Sequence, residues 1–251
     1  MSSSSKLGWL AADWPAPGSV QAGTTLRRPG PSLPPYDQFN LALHVQDHAD
    51  TVLANRRSLK QSLGLPAEPR WLEQVHSTIV VEADRANGVP QADAAYSHRS
   101  GTACVVMTAD CLPVLFTNQQ GTSVAAAHAG WRGLAEGILE KTFDSAGFKP
   151  SQTLAWLGPA IGPEAYEVGE EVKQAFMRQV RHAESAFVKT SPGKYLMDMY
   201  TLARQKLNAL GVEAVYGGEH CTFRQAEQFY SYRRDGLTGR MASLIWIASA
   251  T

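Results

Sequence analysis

The sequence lacks the features that mark several large classes of protein. It has only three cysteines (Cys104, Cys111 and Cys221), and no two of them form a Cys-x-x-Cys pair. A disulfide framework is therefore not expected, and the low cysteine content favours a reducing compartment such as the cytoplasm. Positive charge is not in excess either, because 23 lysines and arginines balance 23 aspartates and glutamates, so we expect no nucleic-acid partner.

Long apolar segments are also missing. No hydrophobic run approaches the roughly 18 residues of a membrane span, and residues 1–5 have neither the basic nor the apolar region of a secretory signal. We therefore expect a cytoplasmic protein without a membrane partner. The sequence has no Gly-x-Gly-x-x-Gly motif and no Walker loop, which argues against a Rossmann or P-loop nucleotide site.

The chain has 251 residues, enough for a full hydrophobic core, and no linker or internal repeat divides it, so we predict a single domain over residues 1–251. Apolar runs typical of strands alternate with amphipathic segments typical of helices, without a regular βαβ repeat. We predict an α/β fold, a compact mixed-sheet sandwich with helices on both faces. Strands are predicted at 20–26, 103–107, 122–127, 153–157, 212–216 and 243–248, helices at 50–63, 134–143, 170–180 and 198–210 with Asp50 and Asp198 as N-caps, and a polar hairpin-like loop at 229–240.

Reactive side chains stand at the ends of three apolar runs. His76 closes one run, Cys111 follows the run 103–107, and His128 closes the run 122–127. Glycines after His128 lead into a predicted helix, and turns of this kind expose side chains to a ligand. We therefore expect the three side chains to meet at one edge of the sheet.

Two histidines and a cysteine are a donor set that suits zinc. His76, Cys111 and His128 would leave a fourth position open, as in catalytic zinc sites, where the metal acts as a Lewis acid and activates water. Spacing alone leaves a second interpretation open, since no short motif such as His-Glu-x-x-His is present. In that interpretation Cys111 is a small buried hydrophobic residue and the histidines are ordinary core or surface residues. We interpret His44 and His48 as surface residues.

Charged residues near these ligands have two interpretations each. Asp93 is a candidate general acid–base or a partner that orients a ligand. Asp110 either points to the opposite face from Cys111, if the strand continues through it, or caps the turn that follows. Several arginines and tyrosines form either an anion-binding clamp with an aromatic surface or a solvated loop of mixed charge. They are Arg132, Tyr230, Tyr232, Arg233, Arg234 and Arg240.

Five segments occur in a fixed order and are more specific together than any one alone. Together with Asn40-Leu41 and Asn55-Arg56 they extend over nearly the whole chain. This pattern strongly resembles the laccase-domain family, once called multicopper polyphenol oxidases and now described as purine nucleoside phosphorylases. The segments are Gln-Val-His at 74–76, Ala-Asp-Cys-Leu-Pro at 109–113, His-Ala-Gly-Trp-Arg-Gly at 128–133, Gly-Pro-Ala-Ile-Gly at 158–162 and the tail at 229–240.

The resemblance implies a fold similar to the catalytic domain of cytotoxic necrotizing factor and a zinc ion held by His76, Cys111 and His128. It implies phosphorolysis of adenosine, inosine, guanosine and methylthioadenosine, and hydrolytic deamination of adenosine, so the expected partners are purine nucleosides and phosphate. We expect the catalytic centre to contain the three ligands and Asp93. The expected substrate contacts are Asn40, Arg56, Gln74, Arg132, Phe229, Arg233 and Arg240, with Phe229 as a stacking surface and Arg56 and the tail arginines as contacts to phosphate or ribose.

Other functions stay open at this level. A polyphenol oxidase with a copper cluster requires many histidines and His-x-His pairs, whereas this chain has seven histidines and no such pair, so Cu²⁺ is expected only as an adventitious alternative to Zn²⁺. A second hypothesis makes Cys111 the nucleophile and His128 its base in a cysteine hydrolase. A third makes the zinc structural and the protein a peptidoglycan-editing factor that acts on a cell-wall precursor. The sequence fits a monomer or a homodimer equally well.

Overall fold

The structure is a computed structural model that describes residues 7–249. Residues 1–5, for which the sequence analysis predicts no secretory signal, lie outside the described residues. None of the helices within the described range is long and apolar enough to cross a membrane. The strands are β1 (Trp9–Ala11), β2 (Val20–Thr25), β3 (Val80–Glu82), β4 (Ala94–Ser97), β5 (Cys104–Thr108), β6 (Leu112–Asn118), β7 (Val124–Ala129), β8 (Thr153–Leu157), β9 (Glu167–Gly169), β10 (Phe187–Ser191), β11 (Lys194–Met197), β12 (Ala214–Gly217) and β13 (Met241–Ile247). The helices are α1 (Ala49–Ser62), α2 (Trp131–Glu136), α3 (Ile138–Ser145), α4 (Glu170–Met177), α5 (Met199–Ala209) and α6 (Tyr232–Asp235).

Two sheets pack against each other and form the centre of the protein. The large sheet has six strands in the order β12-β8-β6-β7-β4-β3, and the other has four in the order β1-β2-β13-β5. Within the large sheet β12 runs parallel to β8 and β3 parallel to β4, while the remaining neighbours are antiparallel. A third sheet has the order β10-β11-β9. The predicted mixed α/β fold is confirmed.

The central strands are apolar on both sides because both sides are covered. In β5, Cys104 and Val106 pack between the two sheets. Val105 and Met107 point the other way, into the layer that contains α1. In β6, Phe116 faces the layer that contains α3 and α5. Helices therefore cover both outer faces of the paired sheets, which explains why the strands appear in the sequence as continuous apolar runs.

Strand β6 is not predicted from the sequence, although it lies between β7 and β8 in the large sheet. Pro113 lowers the strand propensity of this segment, but it occupies the second position of the strand, where its missing N–H is tolerated. Its carbonyl oxygen accepts a hydrogen bond from the N–H of Gly158 at 2.9 Å. Consequently Cys111 lies on a tight turn that connects β5 in the four-stranded sheet to β6 in the six-stranded sheet.

Two helix predictions need correction. The single helix predicted at 134–143 is divided into α2 and α3, because Gly137 between them has a left-handed φ of 99°. Asp50 lies within the first turn of α1 and not at its N-cap, which is His48. A carboxylate in the first turn still interacts favourably with the helix dipole, so the residue type indicates the helix start to within a few positions.

Side-chain caps explain two other helix starts. The prediction of Asp198 as the N-cap of α5 is confirmed, since the Thr201 N–H donates to its carboxylate at 3.0 Å. The tail predicted as a polar loop at 229–240 contains the short helix α6. Its N-cap Ser231 accepts a hydrogen bond from the Arg234 N–H at 3.2 Å. The tail is therefore an ordered segment rather than a solvated hairpin.

Candidate metal centre

Three predicted side chains come together where β6 begins and β7 ends. Cys111 immediately precedes β6, and His128 lies in β7 opposite Pro113, so the antiparallel pairing sets them side by side. His76 comes from the irregular segment before β3. The ligand atoms of the three residues all lie within 4.8 Å of one another, and Cys111 Sγ is 3.8 Å from His76 Nε2. We call this group the His–Cys–His site.

The backbone around the ligands has an unusual conformation. His76 has a φ of 60° and Asp110 a φ of 93°, in the left-handed region that residues with side chains rarely adopt. Gly130 passes so close to the ligands that an added Cβ would lie 2.6 Å from His76 Cδ2. The close approach of the three segments thus depends on a glycine at this position and on hydrogen bonds that hold the two strained residues.

Asp110 joins the turn that carries Cys111 to the C-terminal segment. Its Oδ1 accepts a hydrogen bond from the Thr222 hydroxyl at 2.6 Å, and its Oδ2 accepts one from the Arg233 N–H at 2.7 Å. Its carbonyl oxygen accepts the Ile161 N–H at 2.9 Å. The carboxylate therefore connects separate loops and does not cap its own turn.

Asp93 connects two of the three ligands from a completely buried position. Its Oδ1 lies 2.8 Å from His128 Nδ1 and accepts the His76 N–H at 3.0 Å. Its Oδ2 accepts hydrogen bonds from the N–H groups of Val75 and Ser77 and from the Ser77 hydroxyl. Because both oxygens are engaged and none of the side chain is exposed, the structure favours the orienting interpretation of Asp93 over the general acid–base interpretation.

The electrostatics of the site favour a thiolate. Burial raises the pKa of Cys111, but the charge of His128 and hydrogen bonds from His128 and His76 outweigh burial and lower that pKa to about 6. Burial lowers the pKa of His128, but the Cys111 charge and the Asp93 hydrogen bond raise it to about 9. Burial raises the pKa of Asp93, while hydrogen bonds from His128 and Ser77 lower it to about 2. The thiolate is the form of cysteine that binds a metal.

The donor set fits zinc. In a tetrahedral site with Zn–S near 2.3 Å and Zn–N near 2.0–2.1 Å, the ligand atoms lie about 3.3–3.6 Å apart. The distance of 3.8 Å between Cys111 Sγ and His76 Nε2 is close to that range. Since Asp93 engages Nδ1 of His128, the other ring nitrogen is left to face a metal. The group could therefore bind a metal through three protein atoms.

A cavity of about 380 Å³, the large cavity, opens at the His–Cys–His site. Gln74 and Arg240 line it as predicted substrate contacts. His44 also lines it, so this exposed residue has a place at the site that its polar sequence context does not indicate. Met107 also lines the large cavity and is not predicted from the sequence. Its position shortly before the Ala-Asp-Cys motif is the one signal that could have indicated it. The full wall consists of His44, Gln74, His76, Met107, Thr108, Ala109, Cys111, His128, Tyr232 and Arg240.

Other predicted contacts lie elsewhere. Arg132 and Arg233 line a small cavity that shares part of its wall with the large cavity. Arg56 lies 3.7 Å from the centroid of the Trp71 ring and donates to the Leu41 carbonyl at 2.9 Å, so it packs beside a third hollow that is mainly apolar. The arginines that the sequence suggests as one group of anion contacts thus lie in three different cavities.

Asn40 and Phe229 are fully buried and line neither cavity. The Asn40 amide donates to the Ala42 carbonyl at 3.1 Å and to the Asp47 carboxylate at 3.0 Å, so it holds the loop before α1. Phe229 packs in a core cluster that includes Met241. The expectation that Phe229 offers a stacking surface is therefore wrong, because the ordered tail folds this ring into the core.

Tyr200 anchors the loop after β8, and this contact supports a stability prediction. Its hydroxyl accepts the buried Ala160 N–H at 2.8 Å. Tyr200→Phe leaves that N–H without a partner, so we expect the free energy of unfolding to fall by about 1–3 kcal/mol. In the control Tyr195→Phe, the lost partner is the half-exposed Glu170, which water can solvate, so the fall should be clearly smaller. Urea unfolding measures both variants, and equal losses would contradict the assignment.

The fold and the site together define a class, namely mixed α/β proteins with a His–Cys–His group that could bind a metal at a surface cavity. The profile of the family described as multi-copper polyphenol oxidoreductase laccase matches residues 21–248. The chain therefore belongs to this laccase-like family, and the predicted family is confirmed.

Relatives match the chain over almost its whole length. It is 53% identical over 240 residues to a Pseudomonas aeruginosa protein named purine nucleoside phosphorylase PA4543, covering 95% of this chain and 98% of the relative. It is 52% identical over 242 residues to an Escherichia coli protein named purine nucleoside phosphorylase YfiH, again covering 95% and 98%. The crystal structure of the Neisseria meningitidis protein NMB0706 matches with a TM-score of 0.93 at 49% identity, covering 96% of this chain and 100% of that chain.

Proposed function

We propose that this protein is a zinc-dependent purine nucleoside phosphorylase that also deaminates adenosine. The observation that carries the proposal is the His–Cys–His site in a cavity of about 380 Å³, a volume within the range that binds small-molecule ligands. Relatives about half identical to this chain are named purine nucleoside phosphorylases. The proposed substrates are phosphate and the nucleosides adenosine, inosine, guanosine and methylthioadenosine.

The metal ligands have distinct tasks in this proposal. His76, Cys111 and His128 hold the zinc, which supplies Lewis-acid chemistry when it is bound. Asp93 fixes the His128 ring and the His76 backbone, so the three ligand atoms keep one relative geometry. We propose zinc as the working ion and Cu²⁺ as an adventitious one, because the chain lacks the histidine pairs of a copper cluster.

The large cavity binds the nucleoside. Both ends of the Gln74 amide are hydrogen-bonded to the backbone of Met107, at 2.7 and 2.8 Å, so this side chain is a rigid part of the wall. Arg240 donates to the carbonyls of Thr238 and Gly239, each at 2.9 Å, which fixes its guanidinium beside the cavity. Its remaining N–H groups are available to the hydroxyl groups of a bound ribose.

The proposed deaminase activity uses the same site. Water replaces the amino group at C6 of the purine, so that adenosine becomes inosine and ammonia leaves. The reaction requires a group that accepts a proton from water and passes one to the leaving amine. His44 is the candidate in this chain, because it lines the large cavity and is not one of the three zinc ligands, whereas Asp93 is buried behind those ligands.

Chromatography of reaction mixtures tests the proposed function. Purified protein is incubated with adenosine and with inosine, each with and without phosphate. We expect release of free base that depends on phosphate, and formation of inosine from adenosine without phosphate. Both activities should disappear in Cys111→Ala. No turnover by the folded, zinc-loaded protein, or full activity in Cys111→Ala, would contradict the proposal.

A second candidate function has one specific observation in its favour. The Asp93 carboxylate orients the His128 ring beside the Cys111 thiol, an arrangement that activates a cysteine nucleophile. Cys111 would attack a carbonyl carbon, His128 would give a proton to the leaving amine, and water would then release the acyl group. The predicted likeness to the cytotoxic necrotizing factor domain belongs to this candidate, whereas peptidoglycan editing on a cell-wall precursor, with a structural zinc, is a separate alternative. Mass spectrometry that finds an acyl group on Cys111 would favour it over the phosphorylase.

A further inference from the structure

Two cavities meet at the His–Cys–His site. The small cavity has a volume of about 170 Å³ and shares His76, Ala109, Cys111 and Tyr232 with the large one. Pockets that enclose an organic ligand usually measure about 300–1,000 Å³, a range that includes the large cavity and excludes the small one. The small cavity therefore suits a compact ion rather than a nucleoside. The rest of its wall is Asp110, Trp131, Arg132, Ile161, Tyr166 and Arg233.

The small cavity carries two arginines whose charges are not neutralised by acidic partners. None of the salt bridges among residues 7–249 includes Arg132 or Arg233. The Arg132 guanidinium lies 4.4 Å from the centroid of the Trp131 ring. Arg233 lies over the Tyr166 ring at 5.0 Å and donates one N–H to the Glu167 carbonyl at 3.0 Å. These contacts orient both guanidinium groups without neutralising their charge. Both groups can therefore bind an anion through paired N–H groups.

The acidic and phenolic groups of the small cavity are compatible with an anion. Asp110 already accepts the Thr222 hydroxyl and the Arg233 N–H, so hydrogen bonds from the protein stabilise its charge. Burial raises the pKa of Tyr166, so its hydroxyl stays protonated and can donate a hydrogen bond. The small cavity thus offers an anion two cations and, at Tyr166, a neutral donor.

We propose that the small cavity is the phosphate subsite, with Arg132 and Arg233 as its anion contacts, beside the nucleoside in the large cavity. The proposal rests on the proposed phosphorylase function. It excludes Arg56 from phosphate binding, because that guanidinium is packed on Trp71 beside the third hollow. The two substrates then meet at the wall that the cavities share.

This arrangement places the reacting atoms of the two substrates at the boundary between the cavities. An oxygen of HPO₄²⁻ forms a bond to C1′ of the ribose while the bond from C1′ to the base nitrogen breaks. The electron pair of the broken bond goes to the base, and the proton of the phosphate goes to a base nitrogen. The products are ribose 1-phosphate and the free purine, with charge and atoms balanced.

Steady-state kinetics of the zinc-loaded protein with inosine and phosphate test the phosphate subsite. Arg132→Gln and Arg233→Gln should each raise the KM for phosphate about 10- to 100-fold, because each removes a charge-assisted contact, and should leave the KM for inosine within about twofold. Arg178→Gln is the matched control. It removes the same charge from an exposed residue that borders a hollow beside Arg132 but does not line the small cavity.

The outcomes separate this inference from the proposed function. If wild-type protein releases base but the two arginine variants keep the wild-type KM for phosphate, the phosphate subsite is wrong and the phosphorylase stands. If wild-type protein releases no base, calorimetric titration with inorganic phosphate still tests the subsite. Binding that weakens in both arginine variants supports it, and absence of binding to the wild type overturns it.

Discussion

Cys111→Ala should remove the bound metal and abolish nucleoside turnover while the chain remains folded. The thiolate is the anionic member of the donor set, and its loss leaves two neutral imidazoles to hold a divalent cation. We expect zinc affinity to fall by at least about 100-fold, because losing a ligand should cost no less than losing a residue that supports one. Cys111 lies on a half-buried turn and not in the core, so its removal leaves the packed sheets intact. Zinc per chain after dialysis, measured by atomic emission, checks this result.

Cys221→Ala is the matched control for that experiment. Cys221 is also a free, half-buried cysteine, but its sulfur accepts the Gly162 N–H at 3.2 Å and does not belong to the His–Cys–His site. The control should keep one zinc per chain and its activity. A Cys111→Ala protein that still holds zinc and turns over inosine would show that the metal, or the chemistry, lies elsewhere.

Asp93→Ala should destabilise the protein and weaken metal binding together. The variant leaves the part-buried N–H groups of Val75, His76 and Ser77 without their acceptor, and it leaves the His128 ring without its orienting partner. Removing one partner from a buried charged network typically costs about 3–5 kcal/mol. Loss of a residue that orients a metal ligand lowers metal affinity about 10- to 100-fold. Denaturant unfolding and competition with a zinc-binding dye measure the two effects.

Asp84→Ala and Asp93→Asn are the controls for this prediction. Asp84 also binds a serine hydroxyl, that of Ser97, but it contacts none of the ligands, so its variant should keep full metal affinity. Asparagine at position 93 keeps one acceptor oxygen but turns an amide donor toward other donors, so Asp93→Asn should lose less stability than Asp93→Ala. Unchanged zinc affinity in Asp93→Ala would show that Asp93 supports only the fold.

The sequence predicts the three residues of the His–Cys–His site because each of them follows a local rule. Strand β8, predicted at 153–157, has exactly those bounds in the structure, and α5 begins at the predicted cap Asp198. Apolar runs of this kind indicate where strands end, and His128 and Cys111 stand near such ends. The order of short motifs then selects these residues from the other histidines and cysteines. Local sequence patterns are therefore sufficient to predict a strand end or a helix cap, because the interactions that form it lie within a few residues.

The positions of the candidate substrate contacts depend instead on packing between segments that are distant in the sequence. Phe229 belongs to a polar stretch of sequence, but packing against Met241 buries it. His44 precedes a helix in a polar loop, yet the fold brings it to the wall of the large cavity. No local pattern separates Arg132 and Arg233 from Arg56 as potential phosphate contacts. Only the two cavities and the ring that Arg56 packs on distinguish them.

Zinc titration into metal-stripped protein, with inosine and phosphate present, tests the central claim most directly. If the His–Cys–His site is the centre of a phosphorylase, stripped protein should release no hypoxanthine, and activity should rise linearly with added zinc until one ion is bound per chain. Stripped protein that keeps its full rate of phosphorolysis, or activity that requires copper and not zinc, would contradict the claim.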